Sequence, residues 1–126
     1  MALARLHLID SAALITSAMA GGIVVTGSHG GDSAAGFALP ARPLLVVFND
    51  AGRGLDDAGI SGLRMLQEAG IAAATVAHTT ARIGHAGSTW NDGVISHVNA
   101  CSVALGVSPG QLCRDALRTL CSPAAR

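Results

Sequence analysis

A chain of 126 residues is long enough for one domain with one core. Its formal charge is zero, its 8 basic side chains are all Arg, and its only large rings are Phe37, Phe48 and Trp90. Clustered cations for a phosphate backbone and aromatic platforms for base stacking are therefore both missing, and no nucleic-acid partner is expected. Cys101, Cys113 and Cys121 are odd in number and form no CxxC pair, which argues against a disulfide framework and suits a reducing, cytoplasmic setting.

In chain order, residues 10–20 read as a short helix with Asp10 or Ser11 as N-cap. The apolar stretch 12–25 is broken by Thr16, Ser17 and Gly21-Gly22, and no run approaches about 20 apolar residues, so neither a cleaved signal nor a membrane span is expected. A first strand, Ile23-Val24-Val25-Thr26, runs into Gly27-Ser28-His29-Gly30-Gly31, and a helix follows from Ser33 to Leu39. Pro40 and Pro43 punctuate the way to a second strand, Leu44 to Phe48, which ends in Asn49-Asp50-Ala51-Gly52.

The next helix is the clearest. Asp56 and Asp57 stand near its start, Ile60, Leu63, Leu66 and Gln67 recur at helical spacing, and Gly70 closes it. Gly59 and Gly62 cost it about 1 kcal/mol each, which makes sense if it packs closely on the sheet or on another subunit. A third strand, Ile71 to Ala77, leads into His78-Thr79-Thr80-Ala81-Arg82. Beyond it two readings stand. Val94, Ile95, Val98, Cys101 and Leu105 fit one face of a helix; equally, residues 94–98 fit a fourth strand with Asn99 capping a following helix. Ser108-Pro109 reads as the start of a last helix carrying Leu112, Ala116, Leu117 and Leu120.

Strands alternating with helices predict an α/β fold, a single three-layer Rossmann-like domain over residues 1–126 with a small, mostly parallel sheet of three to four strands. The polar clusters after the three strands then share the carboxyl edge of the sheet, where open α/β sheets bind ligands.

The glycine turn is the sharpest element. Gly30 and Gly31 bring backbone N–H groups close to a ligand, and Ser28 and His29 add a hydroxyl and an imidazole. His29-Gly30-Gly31 resembles the oxyanion loop of α/β-hydrolases, yet no G-x-S-x-G elbow accompanies it. The plainer reading is a tight strand–helix turn. Asn49 and Asp50 suit the orientation of a histidine or a ligand hydroxyl, or else an Asx turn. Arg82 is a natural clamp for a carboxylate or phosphate, or else one half of an ion pair. His78, Thr80, His97 and Asn99 complete the candidate binding residues. A metal held by His29, Asp50 and His78 is chemically possible but matches no motif spacing, so neither metal nor cofactor is assigned.

Gly27-Ser28-His29-Gly30-Gly31, Asn49-Asp50-Ala51-Gly52, Ala81-Arg82-Ile83-Gly84 and Gly93-Val94-Ile95-Ser96-His97-Val98-Asn99 resemble a family of small bacterial α/β proteins of uncharacterised activity. The resemblance spans about residues 23–110. It implies a compact ligand-handling protein and carries no catalytic assignment.

Two functions fit. The first is a hydrolase or lyase acting on a small anionic metabolite. His29 would be the general acid or base with Asp50 orienting it, the Gly30 and Gly31 N–H groups would stabilise developing charge, and Arg82 would anchor the substrate. The second is a non-catalytic anion-binding or assembly subunit. Low charge and many small residues point to a homo-oligomer in either case.

Overall fold

All three expected apolar runs form strands of one sheet, and two further strands flank them. The computed structural model describes residues 3–121. Its strands are β1 (Leu6–Ile9), β2 (Ile23–His29), β3 (Leu45–Asn49), β4 (Ala72–Val76) and β5 (Ile95–Val98). They pair in the order β1-β2-β3-β4-β5, parallel throughout except that β5 runs antiparallel to β4. The sheet thus has five strands rather than the expected three to four. The extra strand at the start, Leu6-His7-Leu8-Ile9, pairs with β2 from Leu6 against Ile23 to Ile9 against Thr26.

Among the described residues five short α-helices accompany the sheet: α1 (Asp32–Ala38), α2 (Gly62–Glu68), α3 (Ala86–Asp92), α4 (Ala100–Ala104) and α5 (Cys113–Leu117). Strand residues alternate between two cores, as the pleat requires. Ile23, Val25, Leu45 and Val47 face Trp90 of α3 and Leu117 of α5. Val24, Val46 and Phe48 face Ala34, Ala35 and Ala38 of α1 and Leu63 and Leu66 of α2. Right-handed crossovers that step in one direction across the sheet leave α1 and α2 on the same face. The chain reaches the opposite face only after β4. The strand order never reverses among the parallel strands, so the crevice that a reversal opens in a doubly wound sheet is not formed.

Two expectations along the chain are corrected, and the open choice over residues 94–98 is decided. Residues 10–20 form two 3-10 turns, Ala12–Leu14 and Ser17–Met19, in place of a helix. Ser11 does cap the first, its hydroxyl accepting from the Ala13 N–H at 3.2 Å, but extended backbone at Ile15 ends the turn and Ile15 joins the core. Residues 94–98 resolve as strand, with Asn99 capping α4. The last helix starts at Cys113 rather than at Ser108-Pro109, because residues 110–113 pair with residues 93–95, at and just before the start of β5, instead. The Ile95 N–H donates to the Gln111 carbonyl at 2.8 Å and the Gly110 N–H donates back to the Ile95 carbonyl at 2.8 Å.

After β4 the chain crosses the carboxyl edge and docks against β2. The Gly84 N–H donates to the Gly27 carbonyl at 2.8 Å and the Thr89 hydroxyl to the Thr26 carbonyl at 2.9 Å. A Cβ at Gly27 would overlap the backbone of Gly84 and His85, so that position needs glycine. Among the described residues no helix is long and apolar enough to cross a membrane.

Candidate functional site

The carboxyl edge holds the predicted residues, but in separate places. Asp50 is the centre of one cluster. It follows β3 directly and is 5% exposed. Its Oδ1 accepts the Gly52 N–H at 2.8 Å, which is an Asx turn, and also the His78 N–H at 3.0 Å, which ties the end of β3 to the end of β4. His78 Nδ1 lies 3.4 Å from the same oxygen, and His97 Nε2 lies 3.9 Å from Oδ2. Gly52, at φ 73°, lies against the His78 ring, where a Cβ would come within 3.2 Å of Cε1.

Ser96, beside His97 on β5, has its Oγ 2.9 Å from the hydroxyl of fully buried Thr75. Burial alone would push the Asp50 carboxyl up. The Gly52 N–H, the Ser96 hydroxyl, the His78 N–H and the adjacent His78 imidazole outweigh it and hold the group below the usual carboxylate range. Asp50 is thus a fixed anion between two imidazoles.

A cavity of about 560 Å3 opens beside this cluster, between α2 and β5. Ser96 and His97 line it from β5, Ile60, Leu63, Arg64 and Glu68 from the α2 side, and Pro109 also borders it. Arg64 pairs loosely with Glu68 at 3.7 Å and remains largely exposed. Over the cluster passes the segment 51–57, in which Ala51, Arg53, Asp56 and Asp57 all adopt positive φ. Its Arg53 is held by Asp57 at 2.9 Å, and that hydrogen bond keeps the Asp57 carboxyl below its ordinary value.

The other candidates have different surroundings. His29 is exposed at the end of β2 and lines a cavity of about 170 Å3 with Ser11, Ser28, Ser33 and Phe37; neither Asp50 nor Arg82 borders it. Ser28 accepts the Ala12 N–H at 2.8 Å. The Gly30 N–H is already engaged by the carbonyls of Asn49 at 3.1 Å and Gly59 at 2.8 Å, and the Gly30 carbonyl accepts the Gly62 N–H at 2.8 Å. A Cβ on Gly31 would stand 2.7 Å from the Ala58 carbonyl. The Gly30 N–H is therefore used to seat residues 58–62 on the turn. The same contacts explain the small residues of α2. A Cβ on Gly62 would meet the Gly31 carbonyl at 2.5 Å and Ala35 at 2.9 Å, so this glycine serves the packing of α2 on α1 within one chain.

The side chains of Asn49, Thr80 and Asn99 are engaged with backbone groups, and Asn99 also borders the 560 Å3 cavity. Asn49 is fully buried, donates to the Ala81 carbonyl and accepts the Ala51 N–H. The Thr80 hydroxyl donates to Ala77 and accepts the Val94 N–H. Asn99 accepts the N–H groups of Ala73 and Ser102 and donates to the carbonyls of Leu63 and Ile71. Arg82 borders a third cavity, together with Asp10 and His85.

Ser96 and Arg64 were not singled out by the sequence. Ser96 carried one signal, its place next to His97 in a strand ending near the polar edge. Arg64 carried none, since its relation to His97 exists only once α2 lies beside β5. Cys113, fully buried, has its thiol pushed up to about 12 by burial and by nearby Cys121, so it is no nucleophile. Among the described residues no group of three or more His, Cys, Asp or Glu forms a metal cage. Searches of protein-family models, curated proteins and solved structures found no match to this chain.

Proposed function

We propose that the protein is a hydrolase or lyase acting on a small anionic metabolite by general acid–base catalysis, with Asp50, His78 and His97 as the working groups. The observation that carries this reading is the single buried carboxylate with an imidazole beside each of its oxygens. An imidazole is the side chain best suited to exchanging protons near neutral pH. A carboxylate fixed behind it sets its tautomer and balances the charge it gains. Two imidazoles on one carboxylate allow one to take a proton while the other delivers one, as hydrolysis and elimination both require. His97 borders the 560 Å3 cavity, whose apolar walls would hold the substrate body while Arg64 meets its anionic group. His78 takes the role that the sequence suggested for His29, and Arg64 that suggested for Arg82.

A panel of phosphomonoesters, lactones, carboxylic amides and β-hydroxy acids tests the proposal. Turnover of one of these should fall by about a hundredfold or more in His78→Gln, His97→Gln and Asp50→Asn, stay near wild type in His29→Gln, and show a raised KM in Arg64→Gln. Turnover that survives the His78→Gln/His97→Gln double variant would refute it.

One observation favours assembly as a second reading. Among the described residues β1 is an edge strand paired with β2 alone, and Leu8 on it is 45% exposed. An open edge with an apolar side chain is a template for pairing with another chain.

A further inference from the structure

The third cavity, of about 470 Å3, is lined by Asp10, Arg82, His85, Ser88, Asn91 and Asp92, contributed by the end of β1, the loop after β4 and α3. Charges of both signs face this one space without joining. Among the described residues the Arg82 guanidinium forms no ion pair within 4 Å, although two carboxylates border the same cavity. Each partner is held from behind. Asp10 Oδ1 accepts the Ala86 N–H at 2.9 Å, which fixes its carboxylate across a sequence separation of 76 residues. Ser88 Oγ accepts the backbone N–H of Arg82 at 2.9 Å and lies 3.3 Å from Asp92 Oδ2, so one hydroxyl ties the Arg82 backbone and the second carboxylate to the same place.

We infer that this cavity binds a small zwitterion, a molecule that carries a carboxylate and an ammonium group within a few bonds of each other, as amino acids do. A purely anionic ligand would be drawn to Arg82 but repelled by Asp10 and Asp92. A purely cationic one would meet the reverse. A zwitterion satisfies both signs at once: its carboxylate matches the planar donor fork of Arg82, and its ammonium donates to the carboxylates opposite. Ser88 and Asn91 supply neutral polar contacts between them. This site borders neither Asp50 nor the cavity beside His97, so it stands whether or not the acid–base reading holds.

The experiment is a titration of the full chain followed by amide NMR shifts, with L-alanine and 4-aminobutyrate as zwitterions of short and long charge separation, and acetate and methylammonium as the two halves. At least one zwitterion should bind saturably at residues 10 and 82–92 with a Kd below about 10 mM, and about tenfold more tightly than either half. Arg82→Gln and Asp10→Asn should each weaken that binding by about tenfold. Asn keeps an acceptor for the Ala86 N–H and Arg82 is exposed, so Tm should stay at the wild-type value in both variants. The inference is overturned if neither zwitterion gives a saturable shift, if acetate binds as tightly as the better zwitterion, or if Arg82→Gln at unchanged Tm binds as well as wild type.

Discussion

Replacing Asp50 separates its structural role from its charge. Asp50→Ala removes the acceptor of the Gly52 and His78 N–H groups at a site that is 5% exposed, and should cost about 1–3 kcal/mol in urea unfolding at pH 7. Asp50→Asn can keep both bonds through its amide oxygen and should cost less, while losing the charge that faces the two imidazoles. The pH dependence follows from the direction of the shift. The folded carboxyl is held below its ordinary value, so the unfolded chain binds its proton first as pH falls. The stability this group contributes is full above the unfolded value of 3.8 and is lost as pH drops through the lower folded value. Asp50→Asn should flatten that acid limb. An unchanged slope in the variant would show that the hydrogen bonds around Asp50 do not favour its charged form.

At the scale of the element, glycines divide into those the fold needs and those it does not. Gly36 lies inside α1 with nothing within 4 Å of a Cβ added there, so Gly36→Ala should raise stability by about 0.5–1 kcal/mol. Gly59 is the opposite case. A Cβ there would overlap the Asp50 carbonyl, and the Gly59 carbonyl itself accepts the Gly30 N–H. Gly59→Ala should cost on the order of 3 kcal/mol and move Asp50 away from His97, lowering any turnover with it. Thermal unfolding of the two variants, side by side, reads both signs. Equal effects would mean that residues 58–62 are not seated on the turns after β2 and β3. The same seating engages the Gly30 N–H of a turn that in the sequence has the composition of an anion cradle.

At the scale of the whole molecule, the open question is the outer edge of β1. Past Ala4, which bridges to Cys121, that edge pairs with no other strand among the described residues. A formal charge of zero supplies little repulsion against association. Light scattering at micromolar concentration should give a multiple of the 12.5 kDa chain mass, and Leu8→Lys, which puts a charge on the edge, should return the single-chain mass. A wild-type mass of one chain would remove the assembly reading and leave the two cavities to act within a monomer.

The sequence by itself determined the α/β class and the three central strands. Their short runs of Val, Ile, Leu and Ala are buried on both faces, and their length between turn residues favours strand over a buried helix. It also determined that a helix carries Leu63 and Leu66, and the polar character of the carboxyl edge, but not the helix start: α2 begins at Gly62 rather than near Asp56-Asp57, which lie in a 3-10 turn with positive φ. β1 was legible in principle, since Ala4, Leu6 and Leu8 alternate with Arg5 and His7, but a short edge strand gives a weak signal. α3 was not legible: Gly, Ser, Thr and Asn fill Ala86–Asp92, and the carboxylate that accepts its first N–H is Asp10, far away in the chain. Only the tertiary structure decided which polar residues meet. The sequence listed His29, Asp50, His78, Arg82 and His97 as one group. The register of β3 against β4 and of β4 against β5 brought Asp50, His78 and His97 together. The close passage of residues 58–62 engaged the glycine turn beside His29, and the docking of α3 carried Arg82 to Asp10. Those are packing outcomes between segments distant in the chain, and local pattern carries no record of them.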